Sequence, residues 1–174
     1  IDAIVRQFVE FAQPSDAEPV ERVDVGALIG SLAAGYQRAD AGDSPQMTLE
    51  IEPDVGWIGQ PTVLARILAN LLENARRYGR TPGEPRAEVR VGARRDGRWL
   101  VLTVRDRGPG VPASQLPRLA RPFTRLDTER SHHGGSGLGL AIVARLARRY
   151  GGQLQLDLPP DGGLSVQVRL QDAG

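Results

Sequence analysis

The amino-acid sequence predicts an α/β fold: a two-layer α/β sandwich whose mixed, mostly antiparallel sheet packs on three helices. Three observations lead there. Stretches 25–37, 61–78 and 138–150 carry apolar residues with the period of helices. Runs at 47–52, 87–94, 99–105, 153–158 and 164–170 read as strands, several alternating apolar with polar residues as a half-buried strand does. The last four of these runs are joined in pairs by Arg95-Asp96-Gly97 and by Pro159-Pro160-Asp161-Gly162-Gly163, which are turn signals of β-hairpins. Helices and hairpins interleaved in this way form one layer of each.

The 174 residues suffice for one domain with a real core. The net charge of +1 gives no argument for bulk attraction to nucleic acid or membrane, and no cysteine is present to build a disulfide framework or a thiolate metal site. No apolar run approaches the ~18 residues of a membrane span, and no signal peptide is visible. All 22 basic residues are arginine. Without lysine there is no conventional P-loop, no strand lysine of the Ser/Thr/Tyr kinases and no Schiff-base chemistry. A phosphate site here must rest on arginine, backbone N–H groups, a helix dipole and a metal.

In chain order, Ile1, Ile4, Val5, Phe8 and Phe11 define an amphipathic helix ended by Pro14. It reads either as the tail of a longer helix or as a simple helix docked on the domain. An edge strand is expected at 20–25, with Asp24 capping the helix that follows. Residues 47–52 present Met47, Leu49 and Ile51 on one face, and 55–58 form another short strand. A long helix starts near Pro61, which is tolerated in a first turn, and stops at Gly79. After the first hairpin come a short helix near 112–119 and an aperiodic loop at 120–135. The last helix opens at the glycine-rich run Gly134, Gly135, Gly137, Gly139 and ends before Gly151 and Gly152.

Three features carry chemistry. Glycines that lead straight into a helix offer free N–H groups and a positive dipole end to phosphate. On the long helix, Asn70, Glu73, Asn74 and Arg77 share one side at spacings of three, one and three. Asparagine is a poor helix former, so two in register indicate a site rather than a wet face, and their amide oxygens are hard ligands suited to Mg2+. Asp106 ends a strand and opens Asp106-Arg107-Gly108-Pro109-Gly110. It can accept the exocyclic amine of adenine while the glycines let a flat base lie close.

These stretches resemble the motifs of sensor histidine kinases. Asn70-Leu71-Leu72-Glu73-Asn74 with Arg77-Tyr78 resembles the N box, and Asp106 to Gly110 the first glycine box. Arg121-Pro122-Phe123-Thr124-Arg125 resembles the phenylalanine box, and Gly135-Ser136-Gly137-Leu138-Gly139-Leu140 the second glycine box. The four stand in the family's order. The run Asn74-Ala75-Arg76-Arg77-Tyr78-Gly79 is most similar to the osmosensor type. The resemblance implies the Bergerat ATP-binding fold, shared with DNA gyrase B, Hsp90, MutL and anti-sigma serine kinases.

The resemblance also implies roles. Asn74 binds Mg2+ directly and Asn70 supports the metal or the phosphates. Glu73 stands where the family carries an acidic residue that polarises the accepting group. Arg77 and Tyr78 lie along phosphates and ribose or adenine. Asp106 accepts from adenine N6, with Gly108 and Gly110 beside the base. Phe123 anchors a lid at about 120–135, and Arg125 reaches the γ-phosphate. Gly135, Ser136, Gly137, Leu138 and Gly139 belong to the phosphate-binding backbone. Residues 1–13 become the end of a dimerisation helix, 14–19 a linker and 20–174 the catalytic domain. The cofactors implied are ATP and Mg2+. The partners implied are a dimerisation domain carrying the acceptor histidine and a response regulator, in a homodimeric inner-membrane protein with this domain in the cytoplasm. The isolated domain is expected to be a monomer that does not bind nucleic acid. His132 and His133 fall in the lid and fit no acceptor role, so the chain alone should bind ATP without phosphorylating itself. The rival readings are a nucleotide-binding module without phosphotransfer, or an anti-sigma serine kinase.

Overall fold

The computed structural model describes residues 18–38, 42, 44–121 and 138–174. The elements in order are β1 (Glu21–Asp24), α1 (Val25–Arg38), β2 (Gln46–Ile51), β3 (Gly56–Gly59), α2 (Pro61–Tyr78), β4 (Glu88–Asp96), β5 (Trp99–Asp106), a 3₁₀ segment (Ala113–Arg118), α3 (Gly139–Arg149), β6 (Gln153–Asp157) and β7 (Ser165–Gln171). The expected elements between 20 and 170 are therefore present, with the short helix at 112–119 tightened to 3₁₀. The expected helix at 1–12 and the loop at 122–135 lie outside the described residues.

Five strands form one sheet in the order β2-β4-β5-β7-β6, while β1 and β3 pair as a separate antiparallel ribbon. Among the described strands, only β2 and β4 run parallel. Parallel neighbours need a long crossover, and here the crossover contains α2, which is thereby laid across the sheet. The hairpin between β4 and β5 turns through Gly97 and Arg98, since Asp96 already pairs with Trp99. Gly97 has φ +58°, the left-handed geometry a tight hairpin asks of its first central residue.

One face of the sheet meets the helices. Val89, Val91 and Ala93 of β4, Leu100, Leu102 and Val104 of β5, and Val166, Val168 and Leu170 of β7 are buried in register, while their alternates lie on the opposite face, more exposed apart from the buried Val101. Opposite them, α2 buries Val63, Leu64, Ile67, Leu68, Leu71, Leu72 and Ala75, a stripe with helical spacing. Helix α3 buries Leu140, Ile142, Val143 and Leu146 beside it. Each such aliphatic side chain contributes about 1.5–3 kcal/mol of burial. The ladder at the β2 edge departs from expectation. Met47, Leu49 and Ile51 share a face, but Leu49 is 41% exposed, because an edge strand has a neighbour on one side only.

The two ends of α2 are held differently. At its start, Asp24 and Trp57 lie on neighbouring elements; Asp24 Oδ1 caps α1 by accepting from Ala27 N–H at 3.0 Å, as the sequence indicates. Trp57 donates from Nε1 to Gln171 O at 2.9 Å and meets Tyr150 edge to face, with ring centroids 4.7 Å apart. The Tyr150 hydroxyl in turn satisfies the buried Gln60 just before α2. At its end, Gly79 closes α2 by donating to Ala75 O at 2.8 Å, but with φ −91° rather than a left-handed conformation. Glycine is required there for space, since a Cβ would stand 2.5 Å from the Cβ of Asp106. No helix among the described residues is long and apolar enough to cross a membrane.

Candidate functional site

The C-terminal half of α2, the end of β5 and the start of α3 converge at one end of the molecule. Asn70, Glu73, Asn74 and Arg77 lie half-buried on one side of α2, next to its buried stripe. The Asn70 amide donates from Nδ2 to Arg66 O at 2.8 Å, which turns its oxygen outward. That Oδ1 faces α3, where a Cβ on Gly139 would lie 3.4 Å from it. The helix thus begins directly against Asn70, and Leu138, just before it, is fully buried. The first N–H groups of any helix lack intrahelical partners, so α3 turns its positive end toward this corner. The Asn74 side chain makes no hydrogen bond among the described residues.

Asp106 is buried to 5% exposure. Its Oδ1 accepts from Gly108 N–H at 2.9 Å and from Leu164 N–H at 3.1 Å, and its own N–H donates to Leu164 O at 3.1 Å. No hydrogen bond reaches Oδ2 among the described residues. Burial pushes the carboxyl pKa up, against the two backbone donors and Arg105, which pull it down. Glycines make this close packing possible. A Cβ on Gly108 would meet Tyr78 O at 2.6 Å, and one on Gly163, whose φ is +81°, would meet Asp106 O at 2.1 Å. Gly108 is therefore fixed by the end of α2. Gly110, with φ +68°, turns the chain away.

Glu73 is saturated. It accepts from Arg76 at 2.9 Å and 2.7 Å, from Arg77 Nε at 2.7 Å and from the Tyr36 hydroxyl of α1 at 3.2 Å. Partial burial pushes this carboxyl up, but the hydrogen bonds and charges of the two guanidinium groups outweigh it and hold the pKa at about 2. Burial, then the Glu73 charge, raises the Tyr36 phenol to about 12.

Of the residues singled out in the sequence, Asn70, Glu73, Asn74, Arg77, Tyr78, Asp106, Gly108, Gly110, Leu138 and Gly139 are thus gathered around one corner. Phe123, Arg125, Gly135, Ser136 and Gly137 lie outside the described residues. As contributors to this corner, Tyr36, Arg76 and the Gly163-Leu164 pair were passed over in the sequence, and Gly79 was read only as a helix stop. Arg76 was readable, standing three residues after Glu73. Gly162-Gly163 announced a turn, but nothing local announced that it would pack on Asp106.

A largely antiparallel sheet with α2 and α3 on one face, and a polar corner where both helices meet a strand end, defines a nucleotide-binding α/β sandwich of the Bergerat type. The chain belongs to the histidine kinase-, DNA gyrase B- and HSP90-like ATPase family, whose profile matches residues 59–174. The phosphate regulon sensor protein PhoR of Pseudomonas aeruginosa is 36% identical over 151 residues, covering 86% of this chain and 32% of that protein. The chain spans roughly a third of the length of such curated relatives. Among solved structures, the mycobacterial sensor histidine kinase MprB superposes with TM-score 0.73 at 28% identity, over 87% of this chain and 97% of that one. Full-length ShkA in complex with AMPPNP gives TM-score 0.78 at 23% identity, over 99% of this chain and 36% of that one. The chain is thus an ATP-binding catalytic domain of the sensor histidine kinase type. The osmosensor likeness is that of one stretch, residues 74–79.

Proposed function

We propose that the protein to which this domain belongs transfers the γ-phosphoryl group of ATP to a histidine on a dimerisation domain, for relay to a response regulator. In this reading, residues 1–13 end the dimerisation helix, 14–19 form the linker, and the domain works on the cytoplasmic side of a membrane-anchored homodimer. The observation that carries the reading is one corner holding two unlike recognition groups. Among the described residues, a buried carboxylate has an oxygen without a hydrogen bond, and a half-buried asparagine has a side chain without one.

Each group fits its task. Asp106 Oδ2 is an acceptor on a largely buried side chain, matched to the amine of adenine, and its orientation is set by Gly108 and Leu164. The amide oxygens of Asn74 and Asn70 are hard, neutral donors. Mg2+ favours such ligands when phosphates supply the rest of its shell, so the donor set fits the metal, with Asn74 as direct ligand and Asn70 in support. Bound there, the ion would neutralise charge on the phosphates. Arg77 is held through Nε and keeps its terminal nitrogens for phosphate, beside Tyr78. Gly139 opens α3, and in this reading the backbone N–H groups from Gly135, Ser136, Gly137 and Leu138 onward would meet phosphate. Phe123 would anchor the lid and Arg125 would meet the γ-phosphate. Glu73, with both oxygens engaged, enters this reading through the arginines it holds. Positioning and charge neutralisation account for most of the catalysis in phosphoryl transfer.

The test is transfer in trans. Mixed with a separate dimerisation domain carrying its histidine, and with radiolabelled ATP and Mg2+, this chain should label that domain and not itself. ATP binding without transfer would favour a nucleotide-binding module.

A further inference from the structure

We infer that Tyr36, on α1, is a positioning residue for the phosphate side of the site: through Glu73 it fixes the guanidinium of Arg77. The inference rests on the nucleotide site proposed above and adds a residue from a helix outside its motifs. The Tyr36 hydroxyl donates to Glu73 Oε2 at 3.2 Å, across 37 residues of chain. The same oxygen accepts from Arg76 Nε at 2.9 Å, while Oε1 accepts from Arg76 at 2.7 Å and from Arg77 Nε at 2.7 Å.

Geometry gives these four bonds a direction. Arg76 and Arg77 are consecutive on α2, so their side chains leave the helix about 100° apart. One carboxylate can serve both only if its plane is fixed between them. Arg76 grips both oxygens and would by itself draw the carboxylate to its own side. The phenol approaches from α1 and restrains Oε2, leaving Oε1 directed at Arg77. Held by Nε, Arg77 loses rotamer freedom before any ligand arrives, and its outer nitrogens stay available. A carboxylate engaged in this way acts as the hinge of an arginine clamp. Ser44, between α1 and β2, also holds the Tyr36 backbone, donating from Oγ to its oxygen at 2.8 Å.

The test compares Tyr36→Phe, Glu73→Gln and the double variant with the wild-type chain, by competition of Mg-ATP and of adenosine against a fluorescent nucleotide. Wild type should prefer Mg-ATP over adenosine. Tyr36→Phe removes one hydroxyl and should weaken Mg-ATP about three- to tenfold while leaving adenosine unchanged. In the Glu73→Gln background the same substitution should have no further effect, because its route to Arg77 is already broken. A purely structural Tyr36 would lower both affinities together, or shift the melting temperature without moving their ratio. Equal losses for both ligands, no loss, or additive losses in the double variant would overturn the inference. A wild-type chain with no preference for Mg-ATP would overturn the nucleotide-site reading and this inference with it.

Discussion

At the scale of single residues, the two carboxylates of the corner are tuned in opposite directions, and pH separates them. Glu73 has a folded pKa of about 2, below its ordinary 4.5. Its stabilising contribution is present above pH ~4.5 and is lost as pH falls toward 2. The side chain is about a third exposed, so solvent screening reduces the effect to the order of 1 kcal/mol. Urea unfolding of wild type and Glu73→Gln should differ by about that amount at pH 6, with the gap closing by pH 2–3. Asp106 has its pKa raised, chiefly by burial. A raised carboxyl stabilises the fold below its unfolded pKa and loses that contribution as pH rises through the folded value, so the ionised form of Asp106 adds nothing to stability by this route. Asp106→Asn should leave the melting temperature at pH 7 unchanged or higher. It should nonetheless remove the preference for ATP over an analogue lacking the adenine amine, since an amide N–H₂ turned toward that amine sets donor against donor. A retained preference would exclude Asp106 as the reader of the base.

At the scale of elements, α2 serves as both crossover and site, and its start is tied to the chain that enters the domain. Gln60 precedes the helix without a capping side chain of its own. The cap comes from Glu18, whose carboxylate accepts from Thr62 N–H at 3.2 Å and from the Thr62 hydroxyl, while Glu18 O accepts from Gln60 Nε2 at 2.9 Å. An anion at a helix N-terminus stabilises by up to about 1 kcal/mol. Glu18→Ala should therefore lower the melting temperature by roughly 2–4 °C, and Glu18→Gln should recover part of that loss through its amide oxygen. α2 was also the most legible element in the sequence. Its apolar stripe from Leu64 to Ala75 and its polar side from Asn70 to Arg77 both follow from one period, so fold and candidate site came out of the same reading. The hairpins were legible because Gly97 and Gly162-Gly163 lie between alternating runs. Long-range pairings were not. Periodicity carries no register, so the parallel match of β2 with β4, the exposure of Leu49 and the contact of Tyr36 with Glu73 had no local signal. Gly79 was read correctly as a stop but for another reason: what excludes a side chain there is Asp106, distant in sequence.

At the scale of the whole molecule, the corner draws on several elements at once. Asn70 and Asn74 belong to α2, Asp106 to β5, and Gly139 to α3, whose start follows directly on residues 122–137. A ligand touching all of these at once binds the folded chain and not the unfolded one, so it must raise stability by mass action. At a free concentration of about 100 times Kd the gain is about 2.7 kcal/mol. For a chain of this size that corresponds to a rise in melting temperature of roughly 5–11 °C. Mg-ATP should produce such a shift in a thermal scan, rising with the logarithm of nucleotide concentration. Asn74→Ala should abolish most of it without lowering the melting temperature of the ligand-free chain, because the Asn74 side chain makes no hydrogen bond among the described residues. ATP with excess chelator should give the wild-type chain the small shift that Asn74→Ala shows with Mg2+ present. If Asn74→Ala kept the full Mg2+-dependent shift, the metal would have to be held elsewhere, and Asn70, facing the start of α3, would be the next residue to replace.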